Sequence, residues 1–136
     1  MSAPVDETLE AAIRTHAAGG YAIADVRFAR CTCDGLTFRL HVDDDVGAAV
    51  RTCAACKTET LMLDSPEDLA DVTLEACECP CGKDVFALGV GFARTSDARD
   101  LRWVSFGLRC IACNQAAVYA DWKIDYSPSL PLLNQV

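Results

Sequence analysis

The run Cys77-Glu78-Cys79-Pro80-Cys81-Gly82 decides the reading of this chain, because it repeats an earlier run, Cys31-Thr32-Cys33-Asp34-Gly35. Each holds a C-x-C core, and each is followed by a C-x-x-C: Cys53 and Cys56 after the first, Cys110 and Cys113 after the second. All nine cysteines of the 136-residue chain fall in these four clusters. Thiolate chemistry is therefore the main function-bearing signal in the sequence.

The match extends outward from the cysteines. Residues 31–42 line up with 79–90 without a gap, so that Phe38, Leu40 and Val42 fall on Phe86, Leu88 and Val90. Residues 53–64 line up in the same way with 110–121. The half-sites are separated by 19 residues in the first half and 28 in the second, a difference absorbed by a longer polar loop at 94–100. Surface loops accept such insertions at little cost. The pattern implies an internal duplication. A second register, anchored on Ala24-Asp25-Val26 and Ala70-Asp71-Val72, pairs Cys31 and Cys33 with Cys77 and Cys79 instead. The Phe-Leu-Val register is preferred, since it puts Gly82 where a tight turn wants glycine. Cys77 is then the odd cysteine: a buried thiol near the site, an alternate ligand, or a redox group.

Composition bounds the class. The chain is about half apolar, enough for a packed core. The first residues, Met1 to Glu7, lack the basic and apolar regions of a signal peptide, and no apolar run reaches the ~20 residues of a membrane span. The expectation is a cytoplasmic protein with no membrane partner, in which paired cysteines read as metal ligands before disulfides. The net charge of −8 argues against nucleic acid, whose phosphates are bound by Lys and Arg.

In chain order, residues 4–18 predict an amphipathic helix with Val5, Leu9, Ala12, Ile13 and Ala17 on its apolar stripe. Ser2 is its expected cap, Pro4 sits in the first turn, and Gly19-Gly20 ends it. Strands are expected at 21–30, 36–42, 48–52, 58–63, 71–76, 85–93, 101–109 and 116–125. In the seventh decade of the chain, Ser65 and Pro66 could open one short helical turn. Residues 85–93 alternate Phe86, Leu88, Val90 and Phe92 with Ala87, Gly89, Gly91 and Ala93, so one face is core and the other is small enough for close backbone approach. Asp43-Asp44-Asp45 reads as a solvated turn rather than a calcium loop. The tail leucines Leu130, Leu132 and Leu133 should dock on this chain or on a partner.

The fold class expected is mostly β, a small α+β chain of one N-terminal helix (1–20) and two antiparallel repeats (21–64 and 65–136). The cysteine spacing resembles that of zinc-ribbon and rubredoxin-like knuckle proteins, in which two cysteine turns on antiparallel strands grip one ion. The resemblance covers 31–63 and 79–120, and departs from the pattern in its C-x-C knuckles and in Lys57 and Asn114 where glycine often follows. It implies two tetrahedral sites, Cys31, Cys33, Cys53 and Cys56 in one, and Cys79, Cys81, Cys110 and Cys113 in the other. Zinc is the expected ion and iron its rival. Two zinc tetrathiolates lower the formal charge from −8 to about −12.

Four-cysteine sites leave no open coordination position, so a structural role is expected and no catalytic residue is assigned. His16 and His41 read as ordinary side chains; the counterpart of His41 is Gly89. The leading function is a non-enzymatic interaction adaptor with a protein partner, or an acidic inhibitor or immunity-type protein. Trp103 and Tyr119 are expected in the core, with Trp122 and Tyr126 open to either role. Nucleic-acid binding is the alternative, through Arg27, Arg39 and Arg51 gathered beside Phe28 or Tyr21. Thiol redox chemistry at Cys77-Glu78-Cys79 or a C-x-x-C is the third, which Glu78 disfavours.

Overall fold

The computed structural model describes residues 5–16, 21–63, 65, 70 and 72–136. The fold is mostly β: one helix near the N-terminus and one antiparallel sheet. Helix α1 is Glu7–Thr15, and the strands are β1 (Asp25–Phe28), β2 (Phe38–Asp43), β3 (Ala48–Cys53), β4 (Glu59–Leu61), β5 (Glu75–Ala76), β6 (Phe86–Arg94), β7 (Leu101–Cys110) and β8 (Ala116–Lys123). A 3₁₀ turn, Leu130–Asn134, closes the described chain near its end. The expected Ser2 cap, the residues Pro4 and Gly19-Gly20, and most of the Ser65-Pro66 turn lie outside the described residues.

The sheet order is β4-β3-β2-β6-β7-β8, so the two repeats share one sheet rather than forming separate ones. Their seam is the antiparallel pair Phe38↔Phe86. These residues are equivalent in the 48-residue offset that carries Cys31 onto Cys79, and an antiparallel pair of equivalents marks a local two-fold relation. On either side stand Cys53, opposite Phe38, and Cys110, opposite Phe86. The row Cys53–Phe38–Phe86–Cys110 thus crosses four strands, which at about 4.8 Å per strand puts the outer two about 14 Å apart.

The hairpins β2–β3 and β6–β7 overlap only at this row and run away from it in opposite directions. Each leaves a notch, and the leading strand of the other repeat fills it. β1 pairs with β6, Phe28 opposite Gly89, while β5 pairs with β2, Ala76 opposite His41. The next bonds match: Ala29 N–H donates to Leu88 O and Cys77 N–H to Leu40 O, both at 2.9 Å. Residue 29 and residue 77 are again 48 apart, so the pairing follows the Phe-Leu-Val register and not the Ala-Asp-Val one. Cys77 therefore stands where the first repeat has Ala29.

Two apolar clusters occupy opposite faces. The larger holds Phe38, Leu40, Phe86, Leu88, Val90, Phe92, Val104, Phe106 and Leu108. The tail leucines dock here on their own chain: Leu132 is buried, and Leu130 and Leu133 pack against the cluster. Asp100 holds the tail by accepting bonds from Ser129 N–H and Ser127 Oγ, both at 2.8 Å. Trp122 and Tyr119 pack on the same cluster, at 4.8 Å from Phe106 and 5.5 Å from Phe86. Trp103 lies outside it, beside Tyr21 at 6.4 Å, and Tyr126 is exposed.

The smaller cluster is made by α1. Asp6 caps the helix, its carboxylate accepting from Leu9 N–H at 3.0 Å. Leu9 and Ile13 are fully buried, whereas Val5 is 67% exposed and leaves the expected stripe. They sit on the small-residue face of β6 and β7: a Cβ on Gly107 would stand 2.4 Å from Ile13 Cγ1, and one on Gly91 2.3 Å from Ile13 Cγ2. The alternation of small residues in β6 is thus the seat of the helix. Arg109 Nε donates to Asp6 Oδ2 at 2.7 Å and fixes its start.

Candidate metal centre

The four cysteine clusters come together in pairs. Cys31, Cys33, Cys53 and Cys56 place their sulfurs within 4.8 Å of one another, and so do Cys79, Cys81, Cys110 and Cys113. The closest sulfur pairs are Cys31–Cys56 at 3.5 Å and Cys33–Cys53 at 3.6 Å in the first group, Cys79–Cys113 at 3.5 Å and Cys81–Cys110 at 3.6 Å in the second. Four thiolates at ~2.3 Å around a tetrahedral ion have edges of about 3.8 Å, so the donor sets fit such an ion. In each group two cysteines are buried and two exposed, and no disulfide is formed.

The turns that present the sulfurs are the same in both groups. Cys31 N–H donates to Gly35 O and Cys79 N–H to Lys83 O, closing the C-x-C turns. The residue after the second cysteine has positive φ in each: Asp34 at 72° and Gly82 at 91°. In the C-x-x-C turns, Lys57 N–H donates to Cys53 O and Asn114 N–H to Cys110 O, and these two residues have φ of 66° and 64°. Lys57 and Asn114 therefore adopt the left-handed geometry that glycine usually supplies there. Gly35 serves differently. Its Cβ would stand 2.8 Å from Cys53 Sγ, so glycine lets the backbone press against the sulfurs.

Backbone amides aim at the sulfurs and set which thiols ionise. Amides of Cys56 and Ala55 hold Cys53 below the ordinary thiol range, and those of Cys113 and Ala112 bring Cys110 down to about 7. The hydroxyl and amide of Thr58 bring Cys56 down to about 6. At Cys33 the Gly35 amide favours the thiolate, but the sulfurs of Cys31, Cys53 and Cys56 outweigh it and push the group up to about 12. The four thiols compete for one ionised form, which is the situation a divalent cation relieves.

Cys77 stands outside both groups. It is buried, burial pushes it up to about 11, and it lines a cleft with Asp43, Asp44, Asp45, Glu75, Glu78 and Tyr119. A buried, protonated thiol among carboxylates has the character of an inert side chain. The aspartate run is a turn, in which Asp43 Oδ1 accepts from Asp45 N–H and Oδ2 from Thr73 N–H. His16 meets Asp121 at 3.0 Å on the surface, and neither histidine joins a cysteine group. The expected gathering of arginines does not occur. Arg39 lies opposite Thr52 on one sheet face and pairs with Asp84, whereas Arg51 lies opposite Leu40 on the other and is buried. Alternation along β2 and β3 separates them.

Among the described residues no helix is long and apolar enough to cross a membrane. No family model, no curated protein and no solved structure matches this chain.

Proposed function

We propose that the chain is a non-enzymatic zinc protein with two structural tetrathiolate sites, Cys31/Cys33/Cys53/Cys56 and Cys79/Cys81/Cys110/Cys113. The observation that carries this is the convergence of four sulfurs in each group on turns with the same backbone hydrogen bonds. The donors are all thiolates, which suits zinc and leaves no position for a substrate. Iron takes the same ligands, and its visible absorption separates the two. The pairing of equivalent residues across the sheet supports an origin by internal duplication. The cellular role we infer is a cytoplasmic adaptor or acidic inhibitor that offers a metal-stapled sheet to a protein partner. Its support is the net charge of −8, the carboxylate-lined cleft beside Cys77, and the dispersal of the arginines a nucleic acid would need.

Elemental analysis of carefully reduced protein tests the metal reading: two equivalents of zinc are expected, and less than one overturns it. Strong chelation should abolish the native circular dichroism, because a structural zinc contributes roughly 10–16 kcal/mol to folding of a small unit. For the adaptor reading, a purified cognate partner should bind the loaded protein and not the stripped one. A short DNA or RNA should show no gel shift even at low salt.

A further inference from the structure

The two groups share a geometry but not a surrounding. Arg51, two residues before Cys53 and on the core face, is 8% exposed, the single buried cation among the described residues. Its guanidinium carbon lies 4.8 Å from the ring centroid of Phe38, the cross-strand partner of Cys53. Its Nε has no hydrogen-bond partner, and no described carboxylate lies within ion-pair distance. A buried cation in that state is costly unless a negative group stands near. The negative groups on hand are the sulfurs: Arg51 and Cys53 stand two residues apart on one face of β3, and the ring that the guanidinium covers belongs to the residue opposite Cys53.

The second group has no such buried and unpaired cation: Arg109, beside Cys110, is partly exposed, is paired with Asp6 and donates to Asn114. The 57-residue offset that carries Cys53 onto Cys110 carries Arg51 onto Leu108, which is fully buried opposite Leu88 as Arg51 is opposite Leu40. The polar group the second site gains is Tyr119, a neutral hydroxyl near Cys79. Exposed Lys57 and Lys83 stand one beside each site and do not distinguish them.

Building on the metal reading, we propose that Arg51 is the fixed counter-charge of the first tetrathiolate, so that the two sites differ in grip. With an ion bound, each site carries a local charge of about −2. At the first, a buried positive charge offsets half of it, stabilises the ligated thiolates and blunts their reactivity. The second is the site that exchanges metal and meets electrophiles first.

The test is metal release to a chromophoric chelator, run beside pulse alkylation with N-ethylmaleimide and peptide mapping, on the zinc-loaded full chain. In the native protein Cys79, Cys81, Cys110 and Cys113 should be alkylated first, with the first four cysteines about tenfold slower. Arg51→Leu, which copies Leu108, should speed release and alkylation at the first site about tenfold and leave the second unchanged. Arg51→Lys should keep most of the protection. A purely structural arginine gives another signature, since replacing a buried charge by leucine tends to raise thermal stability; faster metal loss from an equally or more stable variant isolates the electrostatic role. Equal rates at the two native sites, or first-site rates unmoved by Arg51→Leu, overturn the proposal. Less than one zinc equivalent in the starting material overturns the metal reading itself.

Discussion

The two cysteine groups and their surroundings carry opposite lessons. Within the turns, every backbone hydrogen bond and positive φ of the first group recurs in the second. Just outside them the likeness ends: Leu108 stands where the first repeat has Arg51, Cys77 stands where it has Ala29, and the helix packs on β6, β7 and β8 of the second repeat. The turns are fixed by what four sulfurs require of the backbone, whereas the surroundings answer to local packing. The helix shows this directly. It sits over Gly89, Gly91 and Gly107, and the equivalent positions on the first hairpin are His41, Asp43 and Val50, which leave it no seat.

The sharpest way to break the likeness is to remove one ligand. Cys53→Ser and Cys110→Ser should each lose an ion and several kcal/mol of stability. Because β1 and β5 are exchanged between the hairpins, either change should melt both in one transition by circular dichroism, and residues 1–64 or 65–136 expressed alone should stay unfolded. Independent melting of the two halves would contradict that coupling.

Gly107→Ala should act on the helix side alone. The new methyl meets Ile13 and lifts α1, at a cost of about 1–3 kcal/mol in denaturant unfolding, with both ions retained. A smaller effect should come from Asp25, which ties β1 to β6 through Arg94 at 2.6 and 3.1 Å. The bond to Arg94 holds the Asp25 carboxyl below its ordinary range. Its folded value lies below its unfolded one, so its contribution is full at neutral pH and fades as pH falls below about 4. Asp25→Asn should cost about 1–2 kcal/mol at pH 7 and progressively less in acid, read by urea melts across pH. Smallest of all, Cys77→Ala installs the residue the first repeat already uses at that place. It should keep two metal equivalents and change stability by about 1 kcal/mol or less.

Much of this was legible in the sequence, for a physical reason. Ligand spacing and strand alternation are short-range patterns, so the strands, the two tetrads and the small-residue face of β6 could all be read from residue order. Long-range pairing could not. Nothing local says that β1 joins β6 or that β5 joins β2, so the sequence suggested two sibling sheets where there is one. The Asp6 cap was not legible either, since the side chain that holds it, Arg109, is over a hundred residues away. The arginines misled in the same way: their count is visible, but the face each occupies depends on strand register, and Arg51 went inside.

The exchanged leading strands also order events in time. As the chain leaves the ribosome, Cys56 completes the first set of four thiols while Phe92, the partner of Asp25, is still unmade. Any ion captured at that stage arrives before the strand that braces its turn has a neighbour. The nascent N-terminal half must therefore wait, unzipped, for its sibling to be synthesised.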